Sequence, residues 1–166
     1  MVTLGVDPGT ARLGFGVVID GDGGGPQALD FGVVETPSVM PMPERLVVLY
    51  DAVNDLIARH RPDTLAVEQL FFARNVTNAM TVGQARGVVL LAAARAGMRV
   101  AEYTPSEVKQ AVAGYGKADK EQMQEMVRLT LGLVVAPHPD DAADALAVAI
   151  CHLQTLPFLD RVGAAW

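Results

Sequence analysis

Four acidic residues stand in apolar surroundings where acids are costly. Asp7 ends the apolar run Val2-Thr-Leu-Gly-Val6 and is followed at once by Pro8-Gly9-Thr10. Glu68 ends a second apolar run, Thr64-Leu-Ala-Val67. Asp141 and Asp144 lie within the stretch 141–150, Asp-Ala-Ala-Asp-Ala-Leu-Ala-Val-Ala-Ile. A carboxylate is expensive to bury unless it is paired or binds a metal. Four carboxylates within a few ångströms repel one another, and divalent cations relieve that repulsion. Oxygen-only ligands select hard ions such as magnesium or manganese over zinc. Two such ions, about 4 Å apart, can bind the attacking and leaving oxygens of a phosphoryl centre. The chemistry this suggests is phosphodiester hydrolysis with a metal-activated water.

The elements that must position these acids follow from periodicity and turn signals. Strands are predicted over 3–7, 13–19 and 28–34, with residues 20–27 (Asp-Gly-Asp-Gly-Gly-Gly-Pro-Gln) as a turn. Their short connections imply an antiparallel meander. A helix over 43–60 places Leu46, Leu49, Tyr50, Val53, Leu56 and Ile57 on one face, and Arg61-Pro62 stops it. A strand over 64–67, a helix over 77–96 ending at Gly97, and a strand over 98–103 follow. Thr104-Pro-Ser-Glu107 reads as a capping box that opens a helix ending near Gly114. Gly114-Tyr-Gly116 is a turn, and a further helix spans 119–131. The last helix runs from about 140 to 153.

Asp141 and Asp144, three apart, share one face near the start of that last helix, where the dipole favours anions. Alanines at 142, 143, 145 and 147 let another element approach closely. Asp140 reads as an ordinary N-terminal acidic cap. Taken singly, Glu68 is an ordinary strand-end acid and Asp141 and Asp144 an ordinary acidic helix start. The set points to a site because one sheet can gather all four element ends. The expected architecture is an α/β sheet with the meander on one side and parallel strands on the other. One domain is expected over 1–157, with a loosely held C-terminal tail over 158–166.

The 166 residues suffice for a single core, and about half of them, 51%, are apolar, which excludes a disordered chain. A single cysteine, Cys151, excludes an intramolecular disulfide and a zinc site built on several thiolates. It favours a reducing compartment. No basic segment followed by a long apolar stretch opens the chain, and its longest apolar helical run lies between Arg86 and Arg95, too short for a bilayer. A cytoplasmic protein without a membrane partner is expected. The net charge of −6 argues against a nucleic-acid partner when taken alone. Part of that charge belongs to the proposed metal cluster, and Arg74, Arg86, Lys109, Lys117 and Lys120 fall in or near segments assigned to the functional face.

Several segments now resemble a known family. They are Val6-Asp-Pro-Gly-Thr10 with Gly14-Phe-Gly16, Val67-Glu-Gln-Leu-Phe-Phe72, Gly83-Gln-Ala-Arg-Gly87, Thr104-Pro-Ser-Glu-Val-Lys-Gln110, Ala118-Asp-Lys120 and Asp141-Ala-Ala-Asp-Ala-Leu-Ala147. In this order and over roughly residues 1–153 they look like the RuvC family of Holliday junction resolvases. The resemblance implies an RNase H-like fold, a five-stranded mixed sheet flanked by helices. It implies a homodimeric, metal-dependent endonuclease that nicks four-way DNA junctions symmetrically during recombination and repair, beside a RuvA–RuvB branch-migration motor. The family's catalytic acids fall on Asp7, Glu68, Asp141 and Asp144, which would hold magnesium or manganese, two ions per site. The doubled Asp140-Asp141 leaves a choice of register that Ala-Ala-Asp-Ala-Leu-Ala resolves in favour of Asp141. A family aromatic near the junction centre falls on Phe71, and two lysines that contact DNA or assist catalysis fall on Lys109 and Lys120. Arg74 and Lys117 are further candidates for DNA contact.

Read from the residues alone, Phe71-Phe72 beside Arg74 could stack on unpaired bases, or plug the core, as Phe72 is expected to do. Gly83 and Gly87 suit close helix packing, across a dimer interface or against the domain's own sheet. Two rival functions stand beside the nuclease. An ATP-binding protein of the actin and sugar-kinase type also places Asp-x-Gly-Thr after its first strand, but generally needs two such domains. A junction-binding module without catalysis would not need the intact acidic quartet.

Overall fold

The computed structural model describes the backbone of residues 1–21, 23–69 and 76–162, and their side chains except at 76–78 and 157–162. Phe71, Phe72 and Arg74 lie outside the described residues. The strands are β1 (Val2–Asp7), β2 (Arg12–Gly21), β3 (Gly25–Glu35), β4 (Thr64–Glu68) and β5 (Arg99–Tyr103). The helices are α1 (Met42–His60), α2 (Val76–Arg95), α3 (Pro105–Ala113), α4 (Lys120–Thr130) and α5 (Asp140–Val162). The strands form one mixed sheet in the order β3-β2-β1-β4-β5. Pairs β1–β2 and β2–β3 are antiparallel, and pairs β1–β4 and β4–β5 are parallel. The expected meander and parallel strands are both present.

Local chemistry explains most boundaries. Arg61 takes a left-handed conformation (φ 46°) and donates its N–H to the Ile57 carbonyl, closing α1 ahead of Pro62. The capping box at α3 is formed: Glu107 N–H donates to Thr104 Oγ1 (3.2 Å) and Thr104 N–H to Glu107 Oε2 (2.7 Å). A second box, between Asp119 and Gln122, opens α4. It carries the same spacing signature, which the sequence reading passed over.

Two expectations need correction. The segment 20–27 is not one long turn, because β2 and β3 stay paired as far as Gly21 opposite Gly25. Gly23 and Gly25 take positive φ (82° and 80°) and reverse the chain tightly. Pro26 is tolerated because β3 is an edge strand. The last helix also runs on to Val162 rather than ending near 153. Pro157 deprives it of an N–H donor without breaking it.

The sheet is covered on both faces. Leu4, Val6, Leu13, Val17 and Leu65 pack with Leu49, Val53 and Leu56 of α1 and Ala85 and Val89 of α2. The other face packs Val18, Ala66, Ala101 and Tyr103 with α3, α4 and α5. Residues 145–151 of α5 are all buried, which marks it as a central helix between the sheet and the α3–α4 layer.

Candidate active site

Strand alternation decides which way each strand-borne acid points. Leu4 and Val6 pack towards α1 and α2, so Thr3, Gly5 and Asp7 face the opposite way, towards α5. Ala66 packs on the α5 side, so Glu68, two residues on, lies on that side as well. Val6 sits beside Val67 in the parallel pair, which makes the acid-bearing ends of β1 and β4 neighbours. From above, α5 descends onto bare backbone. A Cβ at Gly5 would lie 2.2 Å from the Ala145 carbonyl oxygen, and one at Gly14 would lie 2.0 Å from that of Asp141. Gly14 is the cross-strand partner of Asp7. The start of α5 is therefore pressed onto the sheet at the position beside Asp7, and Asp141 and Asp144 come down over the two strand ends.

Electrostatics ties these acids into one group. Burial, then Asp144, Glu68 and Asp141, push the Asp7 carboxyl up from 3.8 to about 7, with Lys120 opposing. Burial, then Asp144, raise Glu68, against Lys109. Burial raises Asp144 as well; Lys120 opposes that shift, Asp141 and Asp140 add to it, and Lys109 opposes it. Glu68 and Asp144 line a cleft of about 240 Å³ together with Lys109, Asp119, Lys120 and Val108. Among the described residues, no three acidic, imidazole or thiol groups close into a tight ligand cage. Glu68 and Asp144 face the cleft, while Asp7 and Asp141 do not line it and join the group through their charge interactions.

Comparison with known proteins decides the family. The family described as "Crossover junction endodeoxyribonuclease RuvC" matches residues 3–152. The chain belongs to the RuvC family. A RuvC from Chloroflexus aggregans is 62% identical over 165 residues, covering 99% of this chain and all of that one. The Thermus thermophilus RuvC structure superposes with a TM-score of 0.88 at 44% identity, covering 95% of this chain and 96% of the other. T. thermophilus RuvC in complex with Holliday junction substrate gives 0.87 at 40% identity over the same shares. The fold is thus RNase H-like, and membership of the RuvC family makes the chain an endonuclease of the divalent-metal-dependent kind.

The residues present suit such ions. The half-buried Asp7 carboxyl is pushed up to about 7 by burial and then by three neighbouring acids, a crowding of negative charge that a divalent cation offsets, and the donors are all hard oxygens. Lys109 on α3 and Lys120 at the start of α4 line the cleft, while Lys117 is exposed on the connection between those helices and does not line it. Asp140 is not a simple helix cap. Its Oδ2 accepts from Lys120 Nζ (2.7 Å) and its Oδ1 from Gln124 Nε2 (2.7 Å), which binds α5 to α4.

Arg86 is spent within the fold, in an ion pair with Glu102 of β5 (2.5 Å). A Cβ at Gly87 meets nothing within 4 Å, so packing against the domain's own sheet does not explain that glycine. His152 is a core group: Tyr103 Oη lies 2.8 Å from its Nδ1, and burial pushes its imidazole down to about 4.

The sequence reading missed Arg12, whose Nη1 lies 3.9 Å from Asp141 Oδ2 and whose Nε lies 3.1 Å from Glu35. No local pattern marks that arginine. It also missed Gly5, although an isolated glycine inside a strand signals close backbone approach. No described helix is long and apolar enough to cross a membrane.

Proposed function

We propose that this protein resolves four-way (Holliday) DNA junctions by paired symmetric nicks, as a magnesium- or manganese-dependent endonuclease in DNA recombination and repair. The observation that carries this reading is the convergence of Asp7, Glu68, Asp141 and Asp144 on one half-buried edge of the sheet, with Lys109 and Lys120 at the adjoining cleft. The four acids would hold two divalent ions, which supply Lewis-acid activation of water and of the phosphodiester. Strands β1 and β4 fix Asp7 and Glu68 rigidly, and α5 fixes the other two. Lys109 and Lys120 draw the phosphate backbone to the acids that would otherwise repel it. Phe71 stacks on an unpaired base near the junction centre, and Arg74 and Lys117 add backbone contacts. The nuclease domain is the unit 1–157, working in the cytoplasm beside the RuvA–RuvB motor.

A four-way junction offers two equivalent strands, so two sites related by a two-fold axis are needed. One face of α2 is suited to that pairing. Met80 (67% exposed), Gly87 and Leu91 (54% exposed) recur at helical spacing as an apolar stripe. The deciding experiment is magnesium-dependent nicking of a synthetic junction. Nicks at symmetric positions in opposing strands are expected. Mobility shift without nicking would leave a binding module, and neither effect would leave an ATP-binding protein.

A further inference from the structure

The sequence places two aspartates together at the start of α5, and only Asp141 belongs to the acidic row around Asp7. Asp140 points the other way, towards α4. One of its oxygens accepts from Lys120 Nζ at 2.7 Å and the other from Gln124 Nε2 at 2.7 Å. Lys120 and Gln124 are four apart on α4, so they present one face to this carboxylate. Both oxygens of Asp140 are thereby engaged, which suits a strut better than a metal ligand. The strut connects the two helix starts that border the cleft, where Glu68, Asp144 and Lys109 also stand. A lysine side chain carries much rotameric freedom, and over half of the Lys120 side chain is open to water (56%). Without a partner its ammonium would spend little time at any one point.

We infer that Asp140, braced by Gln124, is a positioning residue that holds the Lys120 ammonium at the edge of the acidic row, where the scissile phosphate must lie. Asp140 touches neither the phosphate nor the ions; it acts through Lys120. This rests on the nuclease reading above and on Lys120 serving at the reacting phosphate. Ordering Lys120 in advance lowers the cost of ordering it in the transition state. Asp140 also adds a negative charge beside the DNA path, so removing it should not weaken junction binding.

The test is a double-mutant cycle in the full-length protein, read by single-turnover cleavage at saturating junction and by junction affinity. Asp140→Ala should cleave about tenfold more slowly, with affinity unchanged or tighter. Asp140→Asn keeps an acceptor for Lys120 and should recover most of the rate. In a Lys120→Ala background, Asp140→Ala should cause no further loss. Thermal melts identify any variant that has lost its fold, in which case Gln124→Ala, expected to slow cleavage in the same Lys120-dependent way, replaces it. Wild-type rates in Asp140→Ala, with Lys120→Ala slow, would overturn the strut alone. An equal loss in both backgrounds would also overturn it, because Asp140 would then act independently of Lys120. A wild-type rate in Lys120→Ala would overturn the role of that lysine and the strut with it. Full activity in Asp7→Asn would instead sink the nuclease site itself.

Discussion

At the scale of single residues, Asp7 is the group on which most consequences hang. Its carboxyl titrates near 7 in the folded protein against an ordinary 3.8, so the folded state holds this proton more tightly than the unfolded state. In that window the native protein binds more protons, and stability must fall as pH rises from about 4 through about 7. With a chelator present, melting temperature should decline across this range, and Asp7→Asn should flatten the decline. An unchanged slope in the variant would place the titration elsewhere. The same variant should lose cleavage while retaining junction binding, as nicking and mobility-shift assays on one preparation will measure.

Metal ions act on the same charges. At a hundredfold excess over the dissociation constant, magnesium or manganese should stabilise the wild type by about 2.7 kcal/mol. A Glu68→Gln/Asp144→Asn double variant should lose most of that gain. Equal stabilisation of both proteins would locate the ions at another site.

At the scale of elements, the site is an arrangement of two strand ends under one helix start. Gly14 sets the distance between them, since any side chain there meets the Asp141 carbonyl at 2.0 Å. Gly14→Ala must lift α5 or bend β2, at a cost of roughly 1–3 kcal/mol. Asp141 and Asp144 would then move together relative to Asp7 and Glu68. Cleavage should therefore fall far more than the fraction folded, as judged by denaturant melts beside nicking rates. If activity simply tracks the folded fraction, the helix-to-sheet spacing is not what tunes the site.

At the scale of the whole molecule, substrate symmetry and charge take over. Light scattering should give a mass twice the 17.6 kDa chain. Leu91→Asp, on the exposed stripe of α2, should return a monomer that no longer makes paired cuts. A monomer mass for the wild type, free and junction-bound, would contradict the two-fold arrangement. The chain carries a net charge of −6, so its hold on DNA must come from local cations. Losing Lys109 or Lys120 should make the log–log salt dependence of binding shallower by about one unit if one phosphate contact disappears. Phe71→Ala should cost ~1–3 kcal/mol in binding or cleavage while leaving that slope intact, because stacking carries no charge. The reverse pattern would mean that these two roles have been exchanged.

Local patterns carried a large part of this. The apolar runs that stop at Asp7 and Glu68 placed both acids at strand ends, and three-residue spacing placed Asp141 and Asp144 on one helical face. These are properties of chain geometry within a few residues and need no distant partner. The capping box at Thr104 was legible for the same reason. Pairing across the chain was not. That β4 lies parallel beside β1, with Thr3 and Thr64 in contact though 61 residues apart, depends on how the whole sheet buries its two faces. So does the descent of α5 onto Gly5, Gly14 and Gly16, which alone turns four separated acids into one electrostatic group. The tight Gly21–Gly25 hairpin was hidden because glycine-rich composition looks the same in a loop and at the end of a paired strand. The partner of Asp140 was hidden for a plainer reason: a carboxylate at a helix start satisfies its own helix equally well, and only the packing of α4 beside α5 supplies Lys120 and Gln124 instead.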